Sequence, residues 1–151
     1  MDQFNRMLAR WEPMVLSIFR IMVGLLLFQY GVAKLLKFPA VPMFAKVQFL
    51  CASTGLPDSP ACFGPVSQYG AAGGIELILG GLLILGLFTR PVAFILCGEM
   101  AFAYFMGHFP RGFIPLLNGG NAAILFCFSC LYLACAGGGV WSVDAMRERR
   151  V

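Results

Sequence analysis

The chain has 151 residues, of which 60% are hydrophobic and only 12% are charged, and its mean hydropathy is +0.82. Soluble domains carry about one quarter charged residues, so this composition excludes a soluble globular domain and indicates an integral membrane protein. The net charge of +4 is small and spread along the chain, and no RNA- or DNA-binding motif is present, which argues against a nucleic-acid partner.

The N-terminal segment, residues 2–13, has apolar side chains at helical spacing and two arginines among them. The apolar residues are Phe4, Met7, Leu8 and Trp11. This pattern predicts a short helix in the membrane interface, with a frayed tail as the alternative. The apolar stretch that follows is too long for the core of a signal peptide, so we expect it to be a retained helix.

Four apolar segments follow, each close to the ~20 residues that cross a bilayer as a helix. They cover residues 14–36, 66–88, 91–109 and 119–137. We therefore predict an all-α fold, with a single domain over residues 1–151 that forms a bundle of four transmembrane helices. The one long loop lies between the first two helices, and its MFAKVQFL sequence predicts an amphipathic segment on the membrane surface.

Lysine and arginine residues near the helix ends predict the orientation. One side carries Arg6, Arg10, Arg90, Arg147, Arg149 and Arg150, and the other carries Lys34, Lys37, Lys46 and Arg111. The excess on the first side predicts that both termini are cytoplasmic and that the long loop lies outside. We expect a multi-pass protein of the cell membrane, the inner membrane in a bacterium.

Three charged residues lie inside apolar segments, namely Arg20, Glu76 and Glu99. A charge in hydrocarbon costs several kcal/mol unless it is paired or faces a polar cavity. Helix rise places the three at similar depths, so we expect Arg20 to pair with one or both carboxylates. Two interpretations stay open: a proton- or ligand-handling site, and an ion-pair network that holds the helices in register.

A second set of polar residues falls in the outer half of the predicted bundle. Its members are Gln29, Lys34, Tyr104, His108, Arg111, Asn118 and Asn121. Tyr104 and His108 are four residues apart and share a helix face. The set is suited to line a pocket for a small polar head, such as a quinone carbonyl. The alternative is an ordinary belt of polar and aromatic residues at the membrane interface.

The six cysteines divide into a loop pair and a helical group. Cys51 and Cys62 lie in the long loop and are candidates for a disulfide if that side is oxidising. Cys127-x-x-Cys130 has the spacing of a redox motif, although cysteine in a membrane helix also serves as a small apolar filler. No spacing is typical of a metal, haem or iron–sulfur site, so no such cofactor is predicted.

Four segments together resemble the DoxX family of small four-helix membrane proteins. They are FRIMVGLLLFQYGVAKLL, GGIELILGGLLILGLFTRPVA, AYFMGHFPRGFIPLLNGGN and GGGVWSVD, and they extend from about Leu16 to Asp144. Residues at family motif positions include Arg20, Gly24, Gly31, Lys34, Glu76, Thr89, Arg90, His108, Gly112, Asn118, Gly119 and Gly120. The family commonly reads N-G-G-E where this chain has Asn121, so a carboxylate expected there is missing. Glu99 lies about 10 Å away in depth and does not replace it.

The resemblance implies several kinds of function. Some members resemble quinone-linked redox subunits, including a membrane partner of thiosulfate oxidation. Others are linked to sulfur or thiol stress, or act as assembly factors. The leading hypothesis is a subunit of a membrane redox system that handles quinone or sulfur and thiol compounds, with Arg20, Glu76 and His108 organising the quinone or its protons.

Other classes of function compete with this hypothesis. The main alternative is a non-enzymatic assembly factor or small-ligand carrier, and a small transporter fits least well because no inverted repeat is visible. Besides the lipid membrane, the expected partner is a soluble oxidoreductase or a client protein, and a homo-oligomer stays open.

Overall fold

The computed structural model describes residues 2–44, 62–63 and 66–149, and these are almost entirely helical. The helices are α1 (Asp2–Leu35), α2 (Gln68–Leu85), α3 (Thr89–Ala103), α4 (Pro115–Asn118), α5 (Asn121–Ala136) and α6 (Val143–Glu148). Two 3-10 turns, Pro42–Phe44 and Phe109–Arg111, and a π-helical turn, Tyr104–His108, complete the helical elements. Strands β1 (Cys62–Phe63) and β2 (Val66–Ser67) form a short antiparallel pair. The all-α prediction is thereby confirmed in outline.

Helix α1 is one continuous helix of 34 residues, so the predicted interfacial helix and the first membrane helix are not separate elements. Pro13, the last residue of the predicted interfacial segment, lies inside this helix and donates no backbone hydrogen bond. The Ser17 hydroxyl donates to the Pro13 carbonyl at 2.9 Å, one turn further on. The predicted amphipathic segment is described only at its start, at Pro42–Phe44. The predicted Cys51–Cys62 disulfide stays a prediction, because Cys51 lies outside the described residues.

Helices α1 and α2 pack antiparallel through glycines on both. A side chain at Gly24 would meet the backbone nitrogen of Ile84 at 2.9 Å, and one at Gly80 would meet that of Phe28 at 2.9 Å. Small residues allow two membrane helices to approach until their backbones are nearly in contact. This close approach sets the register in which polar side chains of α1 and α2 meet.

Replacing Gly31 by alanine should disrupt this contact. The added Cβ would lie 2.7 Å from the Cα of Leu77 and 2.8 Å from the carbonyl oxygen of Gly73, and neither backbone atom can turn away. We expect a loss of about 1–3 kcal/mol in the free energy of unfolding, typical of overpacking. Unfolding in detergent measures it, with Gly98→Ala as the control, because nothing lies within 4 Å of that site. Equal stability of the two variants would contradict the close packing.

Helices α3 and α5 form a second antiparallel pair, which meets the first around a shared apolar core. The fully buried side chains of this core include Leu27, Leu83, Leu96, Cys130 and Leu133. The outer faces stay apolar and exposed: Ile78, Phe94, Leu125 and Phe128 are each about two-thirds exposed. Apolar residues on both the inside and the outside are typical of a bundle surrounded by lipid.

Three described helical stretches are long and apolar enough to cross a membrane: Asp2–Leu35, Gln68–Leu85 and Thr89–Arg111. Helix α5 has 16 residues, about 24 Å at the usual helical rise, and is shorter than the predicted fourth segment. It begins after a turn at Gly119, whose φ of +74° is readily adopted by glycine, and it ends at Gly137. The turn separates α4 from α5 and so shortens the fourth helix at its start.

Candidate functional site

Lys34 and Glu76 form a buried ion pair between α1 and α2. The Lys34 Nζ lies 2.7 Å from both carboxylate oxygens of Glu76, and the two side chains are 11% and 3% exposed. The ammonium also lies 6.0 Å from the ring centre of Tyr30 and 5.8 Å from that of Phe44. Aromatic faces stabilise a cation that has been removed from water. Lys34 therefore belongs to the interior of the bundle rather than to an interface belt.

Glu99 is the third member of this charge cluster, which we define as Lys34, Glu76 and Glu99. It projects from α3 and interacts electrostatically with both Glu76 and Lys34. Among the residues that the structure describes, none forms a hydrogen bond with its buried Oε2 atom. Two carboxyl groups thus share one ammonium, and a single proton on either of them would make the cluster neutral.

Arg20 does not pair with Glu76 or Glu99, and that prediction was wrong. Its guanidinium is fully buried and donates to four backbone carbonyls instead. The acceptors are Gly138 at 2.8 Å, Leu83 at 2.5 Å, Ile84 at 2.5 Å and Trp141 at 2.9 Å. The last carbonyls of a helix lack helical partners and carry partial negative charge, so the end of α2 attracts a cation. Arg20 joins α2 to the segment that links α5 and α6, about 21 Å along α1 from Lys34.

The predicted outer polar set is only partly assembled. Tyr104 and His108 stack with ring centres 6.5 Å apart and planes inclined by 20°. The Nδ1 atom of His108 lies 3.0 Å from the Asn118 carbonyl oxygen. The π-helical turn brings these rings together, and such turns are frequent at functional sites. Gln29 and Asn121, by contrast, are exposed and form no described hydrogen bond with this group.

The side chain of Asn118 is a structural element of the turn between α4 and α5. It donates to the Gly112 carbonyl at 2.8 Å and accepts from the Gly120 amide at 2.7 Å. An asparagine that closes a turn in this way is common in tight connections. Of the two predicted asparagines, Asn118 therefore forms the hydrogen bonds of this turn, whereas Asn121 is exposed.

Asp144 has a structural role that the sequence reading did not identify. Its carboxylate accepts hydrogen bonds from the amides of Phe88 at 2.9 Å and Thr89 at 2.8 Å, at the start of α3. Partial burial raises the pKa of Asp144, but the Thr89 and Phe88 hydrogen bonds and the charge of Arg147 outweigh it. The pKa therefore lies below its ordinary 3.8. The only signal in the sequence was the position of Asp144 in the GGGVWSVD tail.

The lowered pKa of Asp144 predicts a specific loss of stability in acid. The ionised carboxylate stabilises the folded state above the unfolded pKa of about 3.9, and this contribution disappears as the pH falls through the lower folded value. Thermal unfolding in detergent between about pH 5 and pH 2 should therefore show a steeper decline for the wild type than for Asp144→Asn. Parallel pH profiles for the two proteins would show that the hydrogen bonds do not contribute.

The helical cysteines pair differently from the spacing in the sequence. The Sγ atoms of Cys97 on α3 and Cys127 on α5 lie 3.6 Å apart, whereas Cys130 is fully buried in the core. The Cys127-x-x-Cys130 motif therefore does not identify the closest described sulfur contact. Nothing in the spacing of Cys97 and Cys127 along the chain reveals their contact, because it depends on the register of α3 against α5.

The apolar helices, their exposed apolar faces and the buried charge cluster define a multi-pass helical membrane protein. The DoxX family model matches residues 15–109, and the chain belongs to the DoxX family. The expected resemblance is thereby confirmed. An uncharacterized protein of Haemophilus influenzae is 36% identical over 140 residues, covering 91% of this chain and 93% of that relative. No solved structure matched the chain significantly.

Proposed function

We propose that this DoxX-family protein is a subunit of a membrane redox system and that its charge cluster binds a quinone and exchanges protons with it. The observation that carries the proposal is the Lys34–Glu76 ion pair next to Glu99, whose buried Oε2 atom has no hydrogen-bond partner among the described residues. Charges held inside a membrane helix bundle are candidates for proton transfer or ligand binding. An ion pair that served only to hold two helices together would not require the second carboxyl.

The chemistry of the cluster is suited to a quinone. Reduction of a quinone adds two electrons and two protons, and its carbonyl oxygens become hydroxyl groups. The Lys34 ammonium is a donor for a carbonyl oxygen, and a carboxyl group of Glu76 or Glu99 can deliver or accept a proton. The electrons would come from a protein partner, for which a soluble oxidoreductase is the proposed class.

The proposed topology has four membrane crossings, with α5 as the short fourth helix. Both termini would be cytoplasmic in a bacterial inner membrane. In support, Arg90 caps the end of α5 by donating to the carbonyls of Ala134 and Cys135, at the same end of the bundle as α6 with Arg147. Labelling of Arg149→Cys and Phe113→Cys with an impermeant maleimide in sealed vesicles, with the native cysteines replaced by alanine, tests the orientation. Labelling of both from the same side would contradict it.

The binding test uses the protein purified with native lipids. Its quinone content is measured first, and the delipidated protein is then titrated with decylubiquinone. We expect wild-type binding and affinities at least about tenfold lower, or ~1.4 kcal/mol, for Glu76→Gln and Glu99→Gln. Glu99 has no described hydrogen bond to lose, so Glu99→Gln keeps the test informative if Glu76→Gln fails to fold.

The control for the binding test is Glu148→Gln, which removes an exposed carboxylate on α6. It should bind decylubiquinone as the wild type does. Absence of quinone and of decylubiquinone binding in the wild type would contradict the proposal. In that case a client protein that co-purifies without turnover would favour the assembly-factor alternative.

A further inference from the structure

Cys97 and Cys127 face each other across the interface of α3 and α5 with 3.6 Å between their sulfur atoms. A disulfide needs a separation of about 2.05 Å, so the two sulfurs have to approach by only about 1.5 Å. The contact follows from the antiparallel packing of α3 and α5. In the same register, Arg90 near the start of α3 donates to the carbonyls of Ala134 and Cys135 near the end of α5.

The surroundings distinguish this pair from the other described cysteines. Cys130 is fully buried among core side chains, and Cys135 is exposed without a described sulfur partner. Cys97 and Cys127 are both half-buried at the edge of the core, and each has the sulfur of the other as a neighbour.

The pair also lies close in depth to the charge cluster. Cys97 and Glu99 are two residues apart on α3, which corresponds to about 3 Å along the helix axis. Cys130, one turn after Cys127, interacts electrostatically with Cys97, Cys127 and Glu99. A quinone head bound at Glu99 would therefore lie at the level of the two thiols.

We propose that Cys97 and Cys127 form a dithiol–disulfide couple that reduces a membrane quinone. This inference rests on the proposed quinone-binding function for its electron acceptor. Two S–H bonds break and one S–S bond forms between the Sγ atoms. The two electrons and two protons released pass to the quinone, which becomes the quinol.

The experiment uses the reduced full-length protein in lipid nanodiscs and counts thiols with a maleimide that shifts the band on a denaturing gel. Diamide, a general thiol oxidant, tests whether the pair can close, and decylubiquinone tests the acceptor. We expect peptide mass spectrometry to find Cys97 joined to Cys127 after treatment with either oxidant, and decylubiquinone to remove two reactive thiols. With decylubiquinone, one quinol should form for each disulfide, as measured by its ultraviolet absorbance.

Matched variants separate this pair from the remaining cysteines. Cys97→Ala and Cys127→Ala should each lose the disulfide and the quinol signal, whereas Cys135→Ala and Cys130→Ala should retain both. Circular dichroism checks that each variant is folded. The mass-spectrometric cross-link in the wild type does not depend on any variant, so it decides the result even if one of them fails to fold.

Two results would overturn the inference. One is a diamide-treated protein in which Cys97 and Cys127 stay reduced or Cys127 pairs with Cys130. The other is a protein that binds decylubiquinone in the titration but forms no disulfide with it, which leaves the proposed quinone site intact. A protein that binds no decylubiquinone contradicts the proposed function itself, and with it the assigned acceptor.

Discussion

Replacement of Arg20 by leucine should be one of the two most destabilising single changes at a charged position. The substitution removes all four hydrogen bonds to the carbonyls of Leu83, Ile84, Gly138 and Trp141. A buried polar group left without a partner costs about 1–3 kcal/mol. Even if water reaches some of these oxygens, we expect the free energy of unfolding to fall by at least about 3 kcal/mol.

The measurement is the unfolding of purified protein in detergent, monitored by loss of helical signal. Arg10→Leu is the matched control, since Arg10 lies on the same helix and is exposed. Arg20→Lys should recover part of the stability, because an ammonium has three donors but a shorter reach than a guanidinium. A fully stable Arg20→Leu protein would mean that the carbonyl cluster is satisfied without this residue.

Replacement of Lys34 by methionine should have an effect of similar size for a different reason. The change leaves the Glu76 carboxylate buried at 3% exposure with no counter-charge, while Glu99 adds a second acidic group nearby. Removing one partner of a buried ion pair costs about 3–5 kcal/mol, mainly because the other charge remains without compensation. The loss should be seen in the same unfolding assay, with the exposed Arg111→Met as the control.

A double substitution separates the ion pair from the packing of the side chains. Because Glu76 is the unpaired charge in Lys34→Met, the double variant Lys34→Met with Glu76→Leu should recover most of the lost stability. If quinone binding depends on the charge cluster, the double variant should remain stable and yet fail to bind decylubiquinone. Additive losses from the two substitutions would contradict the ion pair.

The positions of the helices could be predicted from the sequence because hydropathy alone indicates which segments are apolar enough to lie in the membrane. The segments 66–88 and 119–137 overlap α2 and α5 closely, but their ends are displaced by a few residues. Those ends depend on local hydrogen bonds, such as the Ser67 side chain that accepts from Gly70 at the start of α2. A hydropathy pattern does not contain that information, and it does not show that α1 continues through Pro13.

The sequence identified the charged residues of the candidate site but not which groups they bind. Arg20, Lys34, Glu76 and Glu99 were all identified, since a charge in an apolar segment is conspicuous. Their partners were assigned from approximate depth, which ignored the carbonyl groups at helix ends as acceptors for Arg20. The sequence left Lys34 between a polar pocket and an interface belt, whereas its long side chain binds Glu76 inside the bundle.

By itself, the sequence determined the class of protein, the apolar helices and the family, because these follow from composition and from motifs read along the chain. Only the tertiary structure decided that Lys34 forms an ion pair with Glu76, that Arg20 donates to backbone carbonyls and that Cys97 contacts Cys127. Each of these contacts joins residues at least 30 positions apart, and each depends on the register of one helix against another. That register is set by the close approach of backbones at glycines such as Gly31 and Gly80, which a linear pattern does not reveal.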